Sequence, residues 1–349
     1  MHMADALLSP AVGVTMWAAT AGAAAYSIKK VQEGLDQKKI PLMGVMGAFI
    51  FAAQMINFSI PGTGSSGHLG GGLLLAILLG PYAGFLTMAS ILTIQALFFA
   101  DGGLLALGSN IFNLGFVTCF LAYPLIYKKI VGQEYSAKRI MIASMVTAVV
   151  GLQLGAFGVV LQTLFSGRTE LPFGTFVLLM QPIYLAIGLA EGLVTAAVIS
   201  FVWKSRPEIM ERAASNRPLG SLSLKKVLMG MAAAAVLTGA VLSWFASTHP
   251  DGLEWAMFKT SGKEELETTD PAHEKLAAVQ EKTAFLPDYG FKVSGEQAPA
   301  GEQNEEWPAV NGGTSLSGLV GGVMTLLLAA VMGFIINATN RARKNKDLI

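Results

Sequence analysis

The chain has 349 residues, 53% of them hydrophobic and only 13% charged, with 24 basic side chains against 23 acidic ones. Soluble domains carry about 25% charged residues, so a chain this poor in charge, with a mean hydropathy of +0.54, is built for lipid. The near-zero net charge removes the bulk basic field that nucleic-acid binding needs. The single cysteine, Cys119, excludes an intrachain disulfide framework or thiolate cluster.

The N-terminus does not have the form of a secretory signal: no Lys or Arg precedes the first apolar stretch, and no cleavage site follows it. Crossing about 30 Å of hydrocarbon takes about 20 helical residues. By that measure the predicted spans are 10–28, 41–57, a tight pair at 71–80 and 82–100, then 105–127, 139–164, 174–203, 225–247 and 314–338. The expected fold is an all-α polytopic transmembrane bundle of about nine spans. The short third span stops at Gly80-Pro81, which cannot continue a regular helix. Short and broken segments at membrane depth line protein or a cavity.

Lys and Arg gather in loops 29–40, 128–139 and 204–226 and in the tail beyond 340, which together hold 18 of the 24. Basic loops stay cytoplasmic, so nine spans place the N-terminus outside and all four clusters inside. Residues 204–224, with Pro207, Asn216 and Pro218, predict a cytoplasmic linker. It joins a seven-span core (1–203) to a two-span unit (225–349). Between the last two spans, segment 248–313 holds 13 acidic residues against five basic and no long apolar run. It is expected as a partly ordered, acidic extracytoplasmic loop. No internal repeat is visible.

All four histidines, His2, His68, His249 and His273, fall on the outer face of this topology. His2 is the unusual one. A free α-amine on Met1, the amide nitrogen of residue 2 and the imidazole Nδ1 can close two fused chelate rings on one metal. Strong-field nitrogen donors of this kind favour square-planar Ni(II) or Cu(II). With pKa values of about 7.7–8.0 for the amine and about 6.5 for the imidazole, both are accessible near neutral pH. The fourth ligand is sought on the same face. Loop 57–68, from Asn57 through Ser65 and Ser66 to His68, is rich in Gly and Ser and can bring its backbone close to a ligand. The two serines are placed to orient the His68 ring. Read alone, a histidine after Met or in a glycine-rich loop is as readily a surface residue, and His249 and His273 read as solvated.

Gln54, Gln95, Asn110, Asn113, Gln153, Gln181 and Glu191 lie within spans, where polar groups are costly and face the bundle interior. They serve either as a conduit or as hydrogen-bond glue between helices. Asp101, near the outer surface, is placed to pair with Arg168 or to hold the His68 loop.

Four blocks of sequence carry a resemblance. They are Met1-His2-Met3-Ala4-Asp5-Ala6-Leu7-Leu8-Ser9-Pro10, the run from Gln54 to Gly72, Leu79-Gly80-Pro81-Tyr82-Ala83-Gly84, and the run from Gln95 to Asn113. In order and spacing they resemble the substrate-binding membrane subunit of energy-coupling-factor cobalt/nickel transporters, the CbiM/NikM family. Pro250-Asp251-Gly252-Leu253-Glu254-Trp255, with Asp288-Tyr289-Gly290 and the last span, resembles that system's small accessory subunit (NikN/CbiN-like). The chain therefore reads as a natural fusion of the two. The resemblance implies Ni2+ or Co2+ as transported ligand, no catalytic cofactor and no enzyme activity of its own. It implies a transmembrane coupling subunit and two cytoplasmic ATPases as partners, in a bacterial cytoplasmic membrane. Consistent with supplied ATPases, the sequence has no Gly-Lys-Ser/Thr phosphate loop. Carried over by motif, the metal ligands are Met1, His2 and His68. Asn57, Ser65, Ser66, Asp101, Tyr184 and Glu191 are the candidates to orient or gate them. One departure stands out: family members often have a histidine seven residues before a Gly-Glu-Gly-like motif. Here that motif is Ala190-Glu191-Gly192, and the equivalent position is Tyr184.

Three other classes make different demands. A vitamin-capturing subunit expects an aromatic-lined pocket. A secondary metal transporter expects ionisable pairs inside the spans. An intramembrane hydrolase would have to use Ser65 or Ser66 with His68.

Overall fold

In lipid every backbone polar group must be satisfied internally, so apolar runs of this length become helices. A computed structural model describes residues 2–34, 39–132, 135–215, 217–220, 222–263, 266, 270–292 and 307–346. The helices are α1 (Pro10–Gly34), α2 (Lys39–Gln54), α3 (Gly72–Leu79), α4 (Pro81–Phe98), α5 (Leu107–Val131), α6 (Ala137–Phe165), α7 (Phe173–Ser205), α8 (Pro207–Ala214), α9 (Lys225–Ala240), α10 (Gly252–Ser261), α11 (Pro271–Thr283) and α12 (Gly312–Lys346). A hairpin, β1 (Phe58–Ile60) and β2 (Ser65–Gly67), pairs antiparallel with Ser59 opposite Ser66. The protein is a polytopic helical membrane bundle. Among the described residues six helices, α1, α4, α5, α6, α7 and α12, are long and apolar enough to cross a membrane, and α2 is a shorter apolar helix of 16 residues.

The third expected span is corrected. The chain does turn at Gly80, whose φ of 83° suits only glycine, and Pro81 opens α4. But α3 has eight residues, about 12 Å at 1.5 Å per residue, well short of a hydrocarbon thickness. The missing length is filled from both sides. The loop before α3 enters the bundle, with Ser65, Ser66 and His68 all buried. Beneath Gly80 lies α8, whose Ala213 carbonyl approaches so closely that a Cβ on residue 80 would sit 3.1 Å from it. Ile209, Met210 and Ala213 of α8 are buried, so the segment expected as linker folds against the core.

Helices α6 and α7 form the tightest pair. Gly188 and Gly192 of α7, four residues apart, sit directly against the backbone of Val149 and Met145, the small-residue contact that lets membrane helices pack closely. The opposite face of α7 exposes Leu178, Leu185, Leu189 and Leu193, an apolar surface suited to lipid. Gln153 and Gln181 bond each other's backbone carbonyls across this pair, which is glue.

The C-terminal pair packs on the core through α2. Phe51 lies where a Cβ on Gly321 would be, Gly44 faces Leu326, and Gly239 of α9 meets Gly318 of α12 backbone to backbone. A side chain at 318 would stand 2.5 Å from the Gly239 carbonyl, so Gly318→Val is expected to lower stability by about 1–3 kcal/mol through overpacking. Thermal unfolding in detergent checks this, and a wild-type midpoint would reject the close contact.

Candidate metal centre

The N-terminal segment is a built part of the structure. Met3 donates to Asn110 Oδ1 (2.8 Å), and its carbonyl accepts from Gly103 N (2.9 Å) and Asn110 Nδ2 (3.2 Å). Asn113 touches the Met3 sulfur and pairs with Gln162. Asp5 Oδ1 accepts from Ala106 N at 2.9 Å, and Met3, Leu7 and Leu8 are fully buried. Arg168 donates to the Leu8 carbonyl (2.9 Å) instead of pairing with Asp101. His273, expected as a solvated histidine, is 3% exposed, and its Nε2 sits 3.0 and 2.9 Å from the Asp5 and Leu8 carbonyls. It is a clamp from the accessory segment, not a surface residue. Backbone carbonyls need a donor when buried, and helix α11 brings one.

These clamps deliver His2 to His68. The two rings lie nearly parallel (11°) with centroids 4.8 Å apart. His68 Nδ1 is 3.1 Å from the Leu69 carbonyl, so the neutral ring keeps its lone pair on Nε2. Burial pushes the His68 imidazole down to about 3, so it is uncharged at neutral pH. His2 Nδ1 contacts Asp101 Oδ1 at 2.8 Å, while His2 Nε2 is buried with no hydrogen-bond partner among the described residues. Burial raises the Asp101 carboxyl, but the adjoining His2 and the hydroxyl of Tyr289 outweigh it and hold it well below the usual range. Met1, the third expected ligand, lies outside the described residues.

The His68 loop is fixed from beneath. Glu191 of α7 accepts from Gly70 N (2.7 Å) and Gly71 N (3.1 Å). Gly71 is the left-handed cap (φ 76°) of α3, a helix start with no side-chain cap from its own residues. Gln54 donates to the Gly70 carbonyl at 2.8 Å and is held in turn by Gln95 at 3.0 Å. These span residues position the loop. The serines do something else: Ser65 pairs with Thr63, and Ser66 donates to the His249 carbonyl. Ser66 also bridges to Asp251, and its N–H donates to Pro250 O at 2.8 Å. Ser65 and Ser66 therefore fasten the loop, and the accessory segment to it, and not the His68 ring. Tyr184 is buried below, its hydroxyl without a hydrogen-bond partner among the described residues.

Above the two histidines opens a cavity of about 620 Å³ lined by Asn57, His2, His68, Asp101, Asp251, Glu254, Glu274 and Tyr289, among others. Four of its six acidic lining residues, Asp251, Glu254, Glu274 and Asp288, come from the accessory segment. Asp251 caps α10 in a reciprocal box with Glu254. No group of three His, Cys, Asp or Glu side chains placed to hold a metal occurs among the described residues.

This helical membrane bundle holds a histidine pair at the floor of an acidic cavity, and the proteins it resembles are named as transport components and not enzymes. Residues 2–209 match the family described as the cobalt uptake substrate-specific transmembrane region, CbiM, and residues 225–338 match the PDGLE domain. The chain belongs to the CbiM family, fused to a PDGLE domain of the NikN type. A putative fused nickel transport protein NikMN of Archaeoglobus fulgidus is 34% identical over 94% of this chain and 96% of its own length. The cobalt transport protein CbiM of Sorangium cellulosum is 28% identical over 61% of this chain and 95% of its own. A crystal structure of a truncated transition metal transporter is 29% identical and superimposes with a TM-score of 0.53, covering 59% of this chain and 99% of that one. Relatives come from archaea as well as bacteria, so the sequence match does not single out a bacterial source.

Proposed function

We propose that this chain is the substrate-capture component of an ATP-driven, energy-coupling-factor importer for nickel or cobalt. It binds the ion at its outer face through the Met1 amine, the amide and imidazole of His2, and His68. The observation that carries the reading is the meeting of His2 and His68, 4.8 Å apart at the floor of an acidic cavity. The relatives named as nickel and cobalt transport proteins supply the cargo. Four nitrogens in a plane suit Ni(II), and cobalt shares the same donors. His2 Nδ1 now faces Asp101, so closing the chelate exchanges that hydrogen bond for a metal bond.

The N-terminus is assigned to the outside, with residues 1–203 as the metal-binding core. The basic ends of the bundle, near α8, then face the cytoplasm, where a coupling subunit and two ATPases would dock and drive release. Other readings fit less well. Among the described residues the cavity lining contains one Phe, Trp or Tyr, Tyr289, where a vitamin pocket needs several. Glu191 is taken up by Gly70 and Gly71 and is no ion-coupling acid. The Ser65 and Ser66 hydroxyls are committed to Thr63 and the His249 carbonyl, so neither is a nucleophile beside His68.

The test is calorimetric titration of nickel into the detergent-solubilised chain and into His68→Ala. Loss of one imidazole from four ligands is expected to weaken binding by about a hundredfold or more. Unchanged affinity would remove His68 from the site.

A further inference from the structure

Asp101 is shared between the two units of the chain. One of its oxygens holds His2 Nδ1 at 2.8 Å, and the other accepts the hydroxyl of Tyr289, 188 residues further along. Tyr289 is fixed for that role. Its ring stacks on Phe99 at 5.1 Å and meets Phe51 edge-on. The neighbouring Asp288 N–H donates to the Phe99 carbonyl at 2.9 Å, and Gln280 grips the Ala96 and Gly102 carbonyls on either side of Asp101. Asp288 and Tyr289 both hold left-handed backbone, φ 50° and 59°, an arrangement that non-glycine residues keep only when their surroundings enforce it.

We propose that Tyr289 is a positioning residue for metal capture. By keeping a donor on Asp101, it lets His2 exchange its Asp101 hydrogen bond for the metal without leaving the half-buried carboxylate unpartnered. The inference rests on the capture function proposed above. Its physical basis is an asymmetry: a half-buried charge that loses its last partner costs more than one that keeps a partner. The accessory unit therefore completes the metal site through one hydroxyl, and not only by covering it.

The experiment titrates nickel into the full-length wild type, Tyr289→Phe, Asp101→Ala, the Tyr289→Phe/Asp101→Ala double variant, and Phe285→Ala. The last loosens the same loop on Phe98 and Phe99 without touching Asp101. Tyr289→Phe keeps the ring and is expected to weaken nickel binding roughly ten- to a hundredfold. The absorption band of bound nickel should stay in place, because the ligand nitrogens are unchanged. In the Asp101→Ala background the same substitution should have no further effect, and Phe285→Ala should bind like wild type. Wild-type affinity in Tyr289→Phe overturns the proposal. So does an equal loss with and without Asp101, or a matching loss in Phe285→Ala, since either outcome makes Tyr289 a packing residue. A wild type that takes up no nickel overturns the capture function itself, a result separable from these.

Discussion

A Gly-Ser extension ahead of Met1 is expected to abolish tight nickel binding while leaving the fold intact. The extension converts the α-amine to an amide and lengthens the chain by two residues, but every side chain remains. The fused chelate loses its terminal nitrogen, and without that anchor the metal no longer displaces the amide proton, so both rings open and His2 and His68 remain as separate imidazole donors. Four-ligand structural metal sites are worth about 10–16 kcal/mol near neutral pH. Losing the anchoring amine is therefore expected to cost at least about 4 kcal/mol, a thousandfold in affinity. The fold has no reason to change. Among the described residues His2 and Met3 are held by Asp101, Asn110 and Gly103, and the cavity of about 620 Å³ above them has room for two small residues. Calorimetry of both forms, with unfolding midpoints to confirm that each is folded, makes the measurement. Equal affinity would eliminate the amine-anchored chelate and leave His68 with the carboxylates of Asp101 and Asp251 as the alternative donor set.

What the sequence disclosed and what it hid divide along contact range. Gly80-Pro81 announced the corner between α3 and α4, because glycine and proline act on their own backbone. His2 and the Gly/Ser loop ending in His68 were visible because their chemistry is local. The half-length of α3 was not, since a run of apolar residues cannot say that α8 and an entering loop occupy the rest of the depth. His273 looked like a solvated histidine in a polar segment, and only its approach to carbonyls 265 and 268 residues away reveals a clamp. Tyr289 lay within a quoted motif but had no assigned task, for its partner Asp101 sits in the other unit. Ser65 and Ser66 stand beside the His68 ring in sequence, whereas in space their hydroxyls pair with Thr63 and the His249 carbonyl. The amides resolved in two directions: Gln153 and Gln181 join helices, while Gln54 and Gln95 hold the loop that carries His68.

Glu191 shows how a residue remote from the cavity lining can govern the site. Its two oxygens take the N–H groups of Gly70 and Gly71, the donors left over at the start of α3. A helix N-terminus favours a negative group, and here the group comes from α7 because the glycine cap has no side chain to offer. Glu191→Ala would bury two donors without an acceptor. At about 1–3 kcal/mol each, the expected loss of stability is roughly 2–5 kcal/mol. The loop connects these donors to His68 over two residues, so nickel affinity should fall with stability, by about ten- to a hundredfold. Glu191→Gln separates charge from shape: its carbonyl serves one N–H, while its NH2 meets the other as donor against donor. It is therefore expected between wild type and Ala in both unfolding midpoint and affinity. If the Ala variant loses stability but binds nickel as tightly as wild type, the loop's hold on His68 does not pass through this carboxylate. If neither quantity moves, the two hydrogen bonds carry no weight, and Gln54 alone anchors Gly70.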